Sequence, residues 1–146
     1  KPYAVRFIEY MPTRGEEIWQ SRIISGEDIL ARIQDRYALQ PVVRGEMAGP
    51  SRDYKIPGAA GTVGVITPVS GHFCVECNRI RVTSRGMAKN CLFAESEIDL
   101  KPLLREGNVE KLQHALRKIV FEKPGKHIIS QTDPSHKPFD MSKVGG

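Results

Sequence analysis

The chain has 146 residues, 40% of them hydrophobic and 27% charged, which suits one ordinary domain with a modest core. No apolar run approaches the length that spans a bilayer, and the N-terminus Lys1-Pro-Tyr-Ala-Val-Arg-Phe-Ile lacks a secretory-signal layout, so no membrane partner is expected. A net charge of +5 and a pI near 9.2 favour an anionic partner: a nucleotide, a nucleic acid or an acidic protein. Three cysteines, an odd count, argue against a disulfide framework and for a reducing cytoplasm.

Tyr3 to Met11 is rich in β-branched and aromatic residues and predicts a strand, closed by Pro12. Trp19 follows a loop and is expected to pack rather than stack on a base. Ser25-Gly-Glu-Asp28 is a helix start with Ser25 as its cap, and Ile29, Leu30, Ile33 and Tyr37 recur at helical spacing until Pro41. Gln40–Arg44 fits a short strand. Gly45 to Gly61, with its glycines and prolines, reads as loop, and Thr62-Val-Gly-Val-Ile-Thr67 as a strand. Arg79–Thr83 and Met87–Phe93 predict a hairpin turning at Ser84-Arg-Gly86. Asp99 caps a short helix stopped by Gly107, and Asn108 caps a second. The apolar stripe of that second helix is Val109, Leu112, Ala115, Leu116, Ile119 and Val120. The sum is a mixed α/β (α+β) fold: a βα start, then an antiparallel hairpin region with helices.

All three cysteines fall in one stretch, Cys74-x2-Cys77-x13-Cys91. A Cys-x2-Cys turn lets two thiolates reach one centre, and the hairpin would bring Cys91 back to it. Zinc would need a fourth ligand, with His72 nearest and His114, His127 and His136 farther along. A four-iron cluster can use three cysteines and leave one iron open to a substrate. Spacing alone leaves both open, beside the plain alternative of three buried thiols. Arg79 and Arg81 alternate along the predicted strand and should share a face, with Arg85 and Lys89 close in sequence; such guanidiniums suit a phosphorylated ligand. The competing reading is a zinc-stabilised basic module for nucleic acid, which would spread its phosphate contacts rather than cluster them beside the cysteines. A third is a metal-free interaction domain with its Gly145-Gly146 tail as the active element.

The run His72-Phe-Cys-x2-Cys-Asn-Arg-Ile-Arg-Val-Thr, then Gly86 and Cys91-Leu-Phe, closely resembles the second cluster motif of the MoaA-type GTP 3′,8-cyclase family of molybdenum cofactor biosynthesis. Arg6-Phe-Ile-Glu-Tyr-Met-Pro12, Tyr54-Lys-Ile-Pro-Gly58 and the terminal Gly145-Gly146 resemble the family in the same order, so the likeness covers essentially the whole chain.

The resemblance implies a radical S-adenosylmethionine (SAM) lyase that turns GTP into 3′,8-cyclo-7,8-dihydro-GTP. One cluster cleaves SAM to a deoxyadenosyl radical, and a second 4Fe–4S cluster on three cysteines offers GTP an open iron. Carried over residue by residue, Cys74, Cys77 and Cys91 match the second-cluster ligands, and Arg79, Ile80 and Arg81 the GTP-contacting segment. Met11 matches the SAM-contacting methionine, Arg6 lies on its strand, and Gly145 and Gly146 match a tail that enters the active site. Residues 1–44 would then be the terminal βα part of an incomplete TIM-type barrel, and 45–146 the iron–sulfur and GTP-binding region. The family's SAM-cluster motif, Cys-x3-Cys-x2-Cys, has no counterpart here. The chain is therefore expected to be the C-terminal portion of such an enzyme, inactive alone, with no nucleic-acid partner and with a homodimer as one possible assembly.

Overall fold

In a computed structural model, residues 1–13, 19–45, 48–71, 73–94, 98–125, 139–141 and 144 are described. The chain is mixed α/β and divides into two compact units, one formed by Lys1–Met11 with Glu17–Phe73, the other by Pro12–Glu16 with Cys74–Gly146.

The first unit is built on a four-stranded sheet. Its strands are β1 (Ala4–Ile8), β2 (Gln40–Pro41), β3 (Arg52–Lys55) and β4 (Thr62–Ile66), in the order β1-β4-β3-β2. β1 and β4 run parallel, with Ala4 opposite Thr62 and Ile8 opposite Ile66. A parallel pair requires a crossover, and here it carries the helices α1 (Trp19–Arg22) and α2 (Gly26–Gln34). β3 is antiparallel to both β4 and β2. β4 lies beyond residue 44, yet it belongs to the same sheet as β1.

Ser25 caps α2 as its sequence implies, accepting a hydrogen bond from the Asp28 amide at 3.0 Å. The helix ends at Gln34, so Tyr37 falls outside it and is 53% exposed. Trp19, Leu30, Val65 and Val69 are buried. Trp19 thus packs, in keeping with the expectation from the sequence. Glu9 fixes the end of β1: its Oε1 accepts from the Gly26 amide at 2.8 Å, and its Oε2 from the amides of Val69 (3.0 Å) and Ser70 (2.9 Å). The Ser70 hydroxyl also donates to Oε1. A carboxylate 3% exposed is tolerable only with such a full set of donors.

The expectation of a loop from Gly45 to Gly61 fails over Arg52–Lys55, which is β3. Arg52-Asp-Tyr-Lys55 carries no alternating apolar pattern. It is a strand because β4 and β2 pair with its two edges, a context that local composition does not contain.

The second unit holds a three-stranded antiparallel sheet of β5 (Arg81–Val82), β6 (Met87–Lys89) and β7 (Ile98–Asp99), followed by α3 (Lys101–Glu106) and α4 (Val109–Phe121). The β5–β6 turn closes on Gly86 at φ 75°, where glycine alone is unstrained, and the Gly86 amide donates to the Thr83 carbonyl. α3 ends at Gly107 in the left-handed conformation, and Asn108 caps α4 by accepting from the Lys111 amide at 3.0 Å. Asp99 Oδ1 accepts from the first amide of α3 at 2.9 Å, although Leu100 holds the cap position.

Ala88, Leu100 and Ile119 form the buried core of this unit, with Ile80, Ile98, Leu103, Leu112 and Leu116 packed against it. Two residues of the expected α4 stripe stay out: Val109 is 63% exposed and Val120 47%. Val109 opens the helix, and Val120 lies roughly 80° around the helix from Leu112, at the edge of the buried arc. Phe93 and Phe139 meet edge to face with ring centres 5.7 Å apart, and the Phe139 amide donates to the Thr13 carbonyl.

Candidate functional site

Cys74 lies in a 3-10 turn, Phe73–Glu76, and Cys77 follows it directly, its amide donating to the Cys74 carbonyl at 3.1 Å. The pair therefore leaves one tight turn. Cys91 begins the next turn, closed by the Ala94 amide on its carbonyl at 3.2 Å. None of the three is joined in a disulfide, and all are of intermediate exposure.

The β5–β6 ladder is shorter than the hairpin expected from sequence. It pairs Arg81 with Lys89 and Val82 with Ala88, and stops before either cysteine segment. Continued in the same register, it would set Cys91 opposite Arg79. Among the described residues no group of three or more His, Cys, Asp or Glu side chains is gathered closely enough to hold a metal ion. The three cysteines thus stand on two turns flanking one short ladder without forming a closed ligand set. His72, His127 and His136 lie outside the described residues, and His114 is exposed on α4.

The basic residues divide. Arg79 lies ahead of β5 and is exposed, whereas Arg81 is in the strand and half-buried, so only Arg81 has a face set by the sheet. Lys89 is its cross-strand partner, and partners in a ladder leave from the same face. Ile80 packs against the unit's apolar core, so its side chain is committed there.

In the first unit, Arg6 of β1 grips Asp53 of β3, with Nε to Oδ1 at 3.3 Å and Nη2 to Oδ2 at 3.1 Å. The hydrogen bond from Arg6, joined by one from the Ser51 hydroxyl and by the guanidinium's charge, holds the Asp53 carboxyl below its usual range against the opposing effect of desolvation. Arg6 is in turn raised by the same hydrogen bond and charge. Met11 is half-buried three residues beyond the end of β1. Gly145 and Gly146 lie outside the described residues.

Residues 3–129 match the family described as Molybdenum Cofactor Synthesis C. The chain belongs to that family. The matched span takes in both β1 and the cysteine segment. Among its relatives is a GTP 3′,8-cyclase of Geobacter sulfurreducens, 55% identical over 146 residues, which cover 100% of this chain and 45% of the relative. A GTP 3′,8-cyclase of Alkaliphilus oremlandii is 38% identical over 147 residues, covering 100% of this chain and 44% of that protein. One of Alkaliphilus metalliredigens is 40% identical, covering 99% and 44%. The chain thus spans less than half the length of these relatives. Among the described residues no helix is long and apolar enough to cross a membrane.

Sequence reasoning overlooks two contributors to this Molybdenum Cofactor Synthesis C chain. Lys123 reads only as part of a Lys-Pro-Gly turn, yet its ammonium reaches the carbonyls of Arg79 and Asn90. Asp53 sits in what looks like a loop. Neither residue carries a local signal, because each acts on a segment distant in sequence.

Proposed function

We propose that this chain is the part of a GTP 3′,8-cyclase that holds a 4Fe–4S cluster on Cys74, Cys77 and Cys91 and binds GTP beside it. The observation that carries the reading is the placing of Cys74, Cys77 and Cys91 on two turns that flank the short ladder pairing Arg81 with Lys89, in a chain 55% identical along its whole length to a protein of that name. Three thiols suit a four-iron cluster with one open iron, and the substrate would occupy that iron. Such a cluster would supply coordination to the base. This chain's own share is to hold the nucleotide: Arg81 and Lys89 would add positive charge beside it, and exposed Arg79 can join them. Ile80 would contribute through its backbone, since its side chain packs inward.

SAM binding by Met11 and Arg6 belongs to the same proposal, and so does entry of the Gly145-Gly146 tail. In that reading β1 is the last strand of an incomplete barrel. It is an edge strand with all five residues exposed, which suits a sheet continued by further polypeptide. Residues 1–44 would close that barrel and 45–146 would carry the cluster and GTP. The SAM-cleaving cluster would come from outside these 146 residues, since the three cysteines here lack its spacing. Cytoplasmic location and a homodimer complete the proposal.

The test is iron, sulfide and zinc content, with an absorption spectrum, after anaerobic reconstitution with and without GTP. About four irons and four sulfides per chain with a spectrum perturbed by GTP support the reading. One zinc, no sulfide and no response to GTP favour a structural zinc module instead.

A further inference from the structure

The β5–β6 ladder ends at Arg81 and Lys89, and the backbone on each side then runs toward a cysteine without further strand pairing. Lys123, half-buried just past α4, takes over where the ladder stops. Its Nζ donates to the Arg79 carbonyl at 2.5 Å and to the Asn90 carbonyl. Arg79 lies two residues after Cys77, and Asn90 immediately precedes Cys91. Asn90 reciprocates, its Nδ2 donating to the Glu122 carbonyl at 2.8 Å. An ammonium offers three donors from a single point, so it can hold two carbonyls that cannot bond each other. The hydrogen bond to Asn90 is part-buried and the one to Arg79 exposed, so the clasp reaches from solvent to the edge of the interior.

We propose that Lys123 is a positioning residue that sets the spacing of the Cys74–Cys77 turn from Cys91. It touches neither thiol and acts through the two carbonyls. The purpose of that spacing, to present three thiolates to one cluster, rests on the function proposed above; the clasp itself does not.

The test compares the 146-residue chain with Lys123→Met and Lys123→Arg under anaerobic, reducing conditions. A short bifunctional thiol reagent, followed by mass spectrometry of peptides, gives the ratio of Cys91 bridging (to Cys74 or Cys77) to Cys74–Cys77 bridging. Hydrogen exchange follows residues 79–92 and helix α4 separately. Lys123→Met, which keeps bulk but donates to neither carbonyl, should lower the bridging ratio by about tenfold, since two charged hydrogen bonds are lost and one of them is exposed. It should speed exchange over 79–92 and leave Leu112–Ile119 protected, while Lys123→Arg restores the ratio. An unchanged ratio overturns the proposal, as does faster exchange spread evenly over α4, which would make Lys123 a general support of the fold. If Lys123→Met does not fold, Lys123→Gln takes its place: its shorter amide reaches at most one carbonyl, so a lowered ratio supports the clasp and an unchanged one overturns it. Iron and sulfide uptake is measured apart: a parent chain that takes up neither but whose bridging depends on Lys123 removes the cluster reading and leaves the clasp standing.

Discussion

Arg6 and Asp53, on strands that do not pair with each other, meet across Gly64 of the strand between them. Gly64 is the register partner of Arg6 on one side and of Asp53 on the other. A Cβ there would stand 2.1 Å from Asp53 Oδ1, 2.5 Å from Ser51 Oγ and 3.3 Å from Arg6 Cγ. The bare backbone of one residue is what leaves room for the ion pair. Gly64→Ala should therefore push the Asp53 carboxylate aside and break the bidentate contact while the backbone ladder survives. A heteronuclear spectrum would show Arg6 and Asp53 shifts moving with small changes elsewhere; an undisturbed Arg6 Nε signal would refute this.

The same pair makes stability depend on acid. Asp53 has a lower pKa folded than unfolded, so its contribution is complete above the ordinary carboxylate value of about 4 and is lost as pH falls through the lower, folded value. Arg6 stays protonated throughout and adds no slope. Asp53→Asn should accordingly be less stable than the parent at neutral pH, and the gap should narrow in acid below the ordinary carboxylate value. Urea midpoints at the two pH values check this, and a gap of equal size at both would exclude the linkage. The pair is solvent-exposed, so the gap should be small and should shrink with added salt.

Glu9 is the opposite case, a carboxylate that the fold has closed over. Glu9→Gln retains the shape but turns an NH2 group toward one set of backbone donors, at Gly26 or at Val69 and Ser70. A loss of about 1.5–3 kcal/mol in unfolding free energy is expected, and more for Glu9→Ala, which abandons all three amides. Denaturant unfolding measures it; a neutral Glu9→Gln would show that these hydrogen bonds add nothing.

Gly26 begins α2 within reach of Thr67, where a Cβ would lie 2.3 Å from Cγ2. Gly26→Ala should cost about 1–3 kcal/mol through overpacking. Thr67→Ser removes that methyl, so the double variant should recover part of the loss. Strict additivity in the double-mutant cycle would deny that the two residues touch.

For the proposed site, Cys91→Ser should reduce iron and sulfide uptake well below that of the parent chain. Arg81→Ala should weaken the effect of GTP by at least about tenfold, provided its hydrogen bond to phosphate is shielded from water. Metal analysis and a GTP titration of the reconstituted protein separate the two losses. Full uptake by Cys91→Ser would remove that cysteine from the ligand set.

Much of the local structure is legible in the sequence because its causes are local. Ser25 and Asn108 cap helices because a short polar side chain reaches an amide three residues on, and Gly86 and Gly107 mark turns because they accept positive φ. The Cys-x2-Cys turn and the family motif around it are also written within a few residues. β3 is not legible, since its four residues take their conformation from the strands on both sides. Ile80 can be read as part of a ligand-binding segment, but its burial follows from Ala88, Leu100 and Ile119, two of them far along the chain.

The order of residues is enough to say where the helices begin, where the turns fall, which stretch carries every thiol, and to which family the chain belongs. These depend on short-range sterics and hydrogen bonding, or on motifs kept in order. Folding in three dimensions was needed to establish that β1 pairs in parallel with β4, that Arg6 reaches Asp53 over Gly64, and that Lys123 joins the carbonyls of Arg79 and Asn90. Each of these unites residues dozens of positions apart, and no local preference of either partner names the other. Their meeting is set by which sheet edges and helix faces exclude water together.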